Sequence, residues 1–253
     1  MYLEIITYAN KSMGMFEELV KNEFGVKITV LGWGTEWNGF GDKYKAMSKH
    51  LENKNDEDVV VFLDGFDTKI NKDPQNIIEI FEEMDCKVLV SKHPTPLGSI
   101  SRQLFGTCKN NSIANSGLYM GYVKYVKQFI DDALKMKCED DQTNLNSLCH
   151  KYNFIKVDED EKIFKNISLV NKDKKVESLF VSYPGTLSMS RIKRSVFEYT
   201  QFLYLYICGI LIITLAVFPK YTKITLPFLL GFIIFYATLA DKSCTSETVD
   251  TVR

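Results

Sequence analysis

Asp64 and Asp67 are the first residues whose types and spacing suggest chemistry. They lie in the stretch Asp58–Asn71, DVVVFLDGFDTKIN. Two carboxylates three positions apart on a turn can converge on one hard divalent cation, and Gly65 permits the tight backbone such a turn needs. Buried ionised carboxylates are costly, so the pair is expected just past the end of the preceding strand, either paired or bound to a cation. A plain strand-ending turn also uses Asp and Gly, so the stretch by itself leaves both readings open. A second acidic pair, Asp140 and Asp141, sits in EDDQ, where acids also serve to cap a following helix.

Other candidates surround these pairs. Gly32–Lys43, GWGTEWNGFGDK, carries four glycines and two tryptophans. A loop of this kind allows close backbone approach to a ligand, with an indole face available to stack on a planar base. Lys43 opens the next helix and can reach a phosphate as a point charge, or can simply be a solvated lysine on a first turn. Thr7 falls near the carboxyl end of the first strand, where open α/β sheets bind ligands, and equally suits an ordinary strand threonine. Asn115 and Ser116 begin the segment ANSGLYMGY, with Gly117 allowing backbone approach. His93 follows a strand at the same edge and suits either a contact to an acceptor or a sugar, or an exposed position. His150 is explained by the helix C-terminus it ends. Neither a P-loop nor a dinucleotide fingerprint is present.

The elements that must position these residues follow from periodicity. Tyr2–Tyr8, Val26–Leu31, Val59–Leu63 and Cys86–Ser91 read as strands, and Met15–Phe24, Tyr44–Leu51 and Pro74–Met84 as helices between them. That alternation predicts the α/β class with a mostly parallel, Rossmann-like sheet. A short strand within Ala114–Tyr122, a helix at Val123–Met136, another from Gln142, and strand-like pieces at Phe154–Asp158, Ile163–Asn166 and Val176–Tyr183 complete the domain.

The 253 residues carry a net charge of −1, which offers no long-range attraction to nucleic acid. Six scattered cysteines lack CxxC or zinc-type spacing and read most simply as reduced thiols. MYLEIITYAN reads directly as a first strand, with no leader ahead of it. Composition changes near Gln201. Phe202–Phe218 and Ile224–Ala240 contain no charged residue and are separated only by PKYTK, which predicts a two-helix transmembrane hairpin over 202–240. The expected layout is a catalytic domain at 1–190, a basic linker at 191–201, the hairpin, and a polar tail at 241–253. Arg191, Lys193 and Arg194 against Lys220 and Lys223 favour a cytoplasmic larger domain, while N-x-S/T sequons at Asn10, Asn110 and Asn166 permit a lumenal one, so both orientations stay open.

The ordered motifs resemble the glycosyltransferase domain of the procollagen lysyl hydroxylase and collagen galactosyltransferase-like families. The resemblance is carried by the strand with Thr7, GTEWNGFGDK, VVVFLDGFDTKI, ANSGLYMGY, DDQTNL and DEDEKIFKN, from about Leu3 to Tyr183. It implies a GT-A fold and Mn²⁺-assisted binding of a UDP-sugar, UDP-glucose or UDP-galactose, for transfer to a protein or glycan acceptor such as hydroxylysine. On this resemblance Asp64 and Asp67 match the metal pair, and Thr7, Trp37 and Lys43 match nucleotide-holding positions. Asn115 and Ser116 fall beside the sugar, and Asp140 and Asp141 match the catalytic acidic pair. There is one departure. Where the family places a histidine as third metal ligand, SYPGTLSMSR offers Ser182, so a transferase fold without activity is the alternative reading.

Overall fold

A computed structural model describes residues 1–94, 101–102, 105–136, 138, 140–167, 176–184 and 204–240. It forms two compact units, one built on Met1–Thr186 and the other on Leu187–Ser243.

The first unit is organised by β3 (Val59–Asp64), whose residues up to Leu63 are fully buried. Side chains alternate across a strand, so Val59, Val61 and Leu63 enter one core while Val60 and Phe62 enter the other. That two-sided burial is why the segment is an unbroken β-branched and aromatic run rather than an alternating one. Each such side chain contributes roughly 1.5–3 kcal/mol by leaving water. β1 (Leu3–Tyr8) pairs in parallel with β3 and with β2 (Ile28–Leu31).

The sheet is mixed rather than uniformly parallel. β6 (Ala114–Tyr122) runs antiparallel between β3 and β5 (Val88–Lys92), and β7 (Ile155–Val157) closes the order β2-β1-β3-β6-β5-β7. A second, three-stranded sheet has the order β4-β9-β8, from β4 (Thr68–Ile70), β8 (Phe164–Asn166) and β9 (Phe180–Ser182). Short strands this far apart in sequence leave little local signal, and the second sheet was not anticipated.

Helices cover both faces. α1 (Phe16–Val20) is shorter than the Met15–Phe24 expected. Asn22 stops it: its side-chain amide donates to the carbonyls of Leu19 and Val26 and accepts from the Val26 N–H, and Gly25 completes the turn at φ 65°. α2 (Gly41–Leu51) and α3 (Ile77–Glu83) follow. In α4 (Val123–Lys135), Val126, Phe129, Ile130 and Ala133 recur at helical spacing and bury one face. α5 (Asp141–Lys151) is joined to the segment before β6 by a disulfide, Cys108–Cys149, and Cys138 is disulfide-bonded too. The expectation of reduced thiols is therefore corrected for these cysteines. Cys108 and Cys149 lie 41 residues apart in sequence, a pairing that spacing rules do not detect. Cys86 and Cys208 are free.

The transmembrane hairpin is overturned. In the second unit α6 (Tyr204–Val217) and α7 (Thr222–Ala240) are helical as expected, but no helix among the described residues is long and apolar enough to cross a membrane. The 14 residues of α6 extend only about 21 Å at ~1.5 Å per residue, against a hydrocarbon core of ~30 Å. α7 is longer, but Thr222 and Lys223 occupy its first turn and Pro227 follows. The membrane partner falls with the hairpin. So does the cytoplasmic placement, because the count of flanking basic residues orients a protein only when a segment spans. The 191–201 linker and the 241–253 tail lie outside the described residues.

Candidate active site

β1 and β3 end side by side, pairing Tyr8 with Asp64, and the chain turns through Gly65, Phe66 and Asp67 into β4. The turn is shaped by its first residue, since Asp64 Oδ1 accepts the Phe66 N–H at 3.1 Å. Gly65 is required by close approach. A Cβ there would lie 2.8 Å from the Tyr8 carbonyl oxygen and 2.9 Å from Thr7 Oγ1. Thr7 itself is fully buried, and its hydroxyl donates to the Leu63 carbonyl at 2.7 Å. It ties the two strand ends together beneath the acidic turn.

α2 brings Lys43 to this edge. Its ammonium is buried 2.6 Å from Asp141 Oδ2 and 3.8 Å from Asp64 Oδ2, so the two acidic motifs, far apart in sequence, meet at one cation. Burial alone pulls the Lys43 pKa down, but Asp141, Asp64 and Asp67 outweigh it and hold the group above its ordinary value. Next to it, the Tyr44 hydroxyl donates to the Asp141 carbonyl, and burial raises its pKa well above the usual phenol range.

The pair at Asp140 and Asp141 is divided between two tasks. Asp140 caps α5, its Oδ2 accepting the Thr143 N–H at 2.8 Å and the Thr143 hydroxyl at 2.5 Å. Asp141, buried, faces Lys43. Trp37 remains partly exposed beside the Tyr8 ring (5.7 Å between centroids) and edge-on to Phe40. Asn115 and Ser116 are buried on β6. Gly117 sits opposite the acidic turn, where a Cβ would lie 3.0 Å from Asn115 Oδ1 and 3.5 Å from Asp64 Cβ.

Residues the sequence did not mark complete the arrangement. Asn146, fully buried on α5, exchanges two hydrogen bonds with the Ala114 backbone as a neighbouring strand would, and thereby sets α5 against the start of β6. Gln142 accepts from Asn115 Nδ2 at 3.1 Å and approaches His93 Nδ1 at 3.4 Å. Gln142 stood in the DDQ motif but was not singled out, and nothing local distinguished Asn146.

The cation site implied by the resemblance does not fit the donors present. Among the described residues no three His, Cys, Asp or Glu side chains are grouped to hold a metal ion. Ser182 occupies the third position, but its hydroxyl donates to Asp67 Oδ1 at 2.9 Å, and the Lys43 ammonium already faces Asp64. A manganese site, and the metal dependence expected from it, are corrected accordingly.

Comparison with known proteins agrees with the ordered motifs. Residues 1–183 match the sequence profile of the PLOD GT domain. A multifunctional procollagen lysine hydroxylase and glycosyltransferase of Caenorhabditis elegans is 26% identical over 196 residues, covering 68% of this chain and 26% of that protein. Human procollagen-lysine,2-oxoglutarate 5-dioxygenase 2 is 26% identical over 154 residues (55% of this chain, 21% of that protein). A procollagen-lysine,2-oxoglutarate 5-dioxygenase of Drosophila melanogaster is 25% identical over 211 residues (73% and 28%). The chain thus spans about a quarter of the length of these relatives. Its mixed α/β domain, with both acidic motifs gathered at one sheet edge, belongs to the PLOD glycosyltransferase domain family.

Proposed function

We propose that this chain is a hexosyltransferase that uses a UDP-sugar, UDP-glucose or UDP-galactose, as donor. The observation that carries the reading is the buried Lys43 ammonium held between Asp64 and Asp141 at the carboxyl edge of β1 and β3. In glycosyl transfer the bond from the anomeric carbon to the diphosphate oxygen breaks, and a bond to the acceptor oxygen forms. The leaving diphosphate gains negative charge, and the acceptor loses a proton. A fixed cation in a dry site stabilises the first change strongly and needs no reorganisation as charge develops. Lys43 supplies that cation, and its raised pKa keeps it charged. Asp141 lies next to it, placed to face positive character at the anomeric carbon or to orient a sugar hydroxyl. Trp37, exposed on the loop before α2, offers a face to the uracil ring, and Thr7 braces the floor of the site. No step in this reading passes through a metal ion.

The test is UDP release by the full chain from a panel of UDP-hexoses, with and without added divalent cation. Release from at least one donor is expected, reduced at least about a hundredfold in Asp141→Asn and Lys43→Ala, as for loss of a preorganised charged group. Binding of UDP-hexose with no turnover under any condition would instead make the domain a sugar-nucleotide binding module.

A further inference from the structure

We propose that His93 reads a hydroxyl oxygen of the transferred hexose through an Nε2–H aimed by a hydrogen-bond relay from Asn115 and Gln142. The inference rests on the hexosyltransferase reading above and deepens it.

The relay has only one possible proton arrangement. The Gly117 backbone N–H contacts Asn115 Oδ1 at 2.9 Å, and because a backbone N–H can only donate, the oxygen of this side chain must face it. The amide nitrogen of Asn115 then donates to Gln142 Oε1 at 3.1 Å. The amide nitrogen of Gln142 is left facing His93 Nδ1 at 3.4 Å. An amide nitrogen is only a donor, so Nδ1 is the acceptor and the imidazole proton resides on Nε2. The Phe105 ring centroid lies 5.3 Å from that of the imidazole, and the His93 backbone N–H donates to the Ile113 carbonyl at 2.8 Å, which anchors the residue.

Nε2 is buried and has no hydrogen-bond partner among the described residues. A buried donor left without an acceptor is costly, and native structures seldom keep one unless a ligand or water supplies the missing group. Burial also holds the imidazole pKa at about 4, so the ring stays neutral near pH 7 and Nε2–H acts as an uncharged donor. An uncharged donor of this kind suits a hydroxyl oxygen. The relay places it beside the reacting region, because Gln142 directly follows Asp141, and Gly117 lies against Asp64. A sugar hydroxyl reaching His93 is therefore covered by the same α5 N-terminus that carries Asp141.

The chain is titrated with UDP, UDP-glucose and UDP-galactose, and with donors lacking single hexose hydroxyls, while imidazole ¹⁵N shifts are recorded by NMR. The chain has three histidines, so assignment is direct. The free protein is expected to show His93 as the Nε2–H form, with its Nε2 resonance moving on binding UDP-hexose and not on binding UDP. His93→Phe, which keeps a flat ring without the donor, should lower kcat/KM for UDP-hexose about 10- to 100-fold while changing UDP affinity less than about twofold. His93→Gln, which restores an N–H, should recover part of the loss, and one deoxy donor should be insensitive to the substitution. An Nδ1–H form in the free protein, or an unchanged kcat/KM in His93→Phe with an active parent, would overturn the role of His93 alone. A parent that binds no UDP-hexose would overturn the hexosyltransferase reading, and this inference with it. The NMR arm uses the unaltered protein and does not depend on a variant folding.

Discussion

Ser182 donates a hydrogen bond to Asp67 across 115 residues of sequence, joining the end of β9 to the acidic turn after β3. β4, which begins directly after Asp67, pairs antiparallel with β9, Thr68 opposite Ser182, so the contact sits at the edge of the second sheet. A hydroxyl at this position spends its proton on the carboxylate and leaves a weak oxygen donor behind. Replacing Ser182 by histidine supplies the imidazole that related domains are expected to carry. Manganese at tenfold excess over its Kd should then stabilise Ser182→His by about 1.4 kcal/mol in thermal unfolding, with no comparable shift in the parent. Equal shifts in both proteins would mean that Ser182 is not the residue that limits cation binding.

Lys43 is the hinge of the site's electrostatics. Truncating one member of a buried ion pair leaves the other charge uncompensated and typically costs ~3 kcal/mol or more. Lys43→Met should therefore be strongly destabilised in urea unfolding, whereas Lys43→Met/Asp141→Asn should recover much of that stability. Transferase activity should stay lost in both. A double variant no more stable than Lys43→Met would show that Asp141 is not the partner that matters.

The Cys108–Cys149 bridge pins α5, and with it Asp141, Gln142 and Asn146, to the segment leading into β6. It closes a separation of 41 residues, for which the chain-entropy view gives about 4 kcal/mol. Cys108→Ser/Cys149→Ser should lower the midpoint of unfolding, and strong reductant should lower that of the parent at least as far, since it also opens the bridge at Cys138. Donor turnover should fall before the fold is lost, because α5 carries the sugar-facing residues. A double variant with unchanged stability would contradict the bridge.

His93 makes part of the stability pH-dependent. Its folded pKa of about 4 lies below the ~6.5 of an unfolded histidine, so the unfolded chain binds the extra proton between these values. The contribution of the neutral ring is complete above about pH 6.5 and is lost as pH falls toward about 4, to the extent of roughly 3 kcal/mol. The stability difference between the parent and His93→Phe, measured in urea from neutral to acid pH, should shrink by that order across the window. A difference that stays flat would place His93 in solvent.

Much of the first unit was legible in the chain because its signals are local. The apolar run Val59–Leu63 had to be buried on both faces, and α4 repeats its apolar residues at helical spacing. Those patterns depend only on neighbours in sequence, and so does the Asp64–Gly65–Phe66–Asp67 turn. The motifs in order were enough to mark the family and to nominate Asp64, Asp67, Lys43, Asn115 and Asp141. What they could not contain is geometry set by distant pairings. The reversal of β6 within the sheet and the assembly of β4, β8 and β9 follow from strand partners remote in sequence. The disulfide at Cys108 and the Asn115–Gln142–His93 relay are of the same kind, whereas the capping role of Asp140, three residues from Thr143, was a local signal. Tail hydropathy was also a local signal, and it indicated helices correctly. Whether a helix spans depends on where it starts and stops, and α6 stops after 14 residues. At the acidic turn the chain determined that two carboxylates would stand at a strand's end. Only the tertiary structure decided that a lysine ammonium and a serine hydroxyl would meet them there, because those partners arrive on α2 and β9.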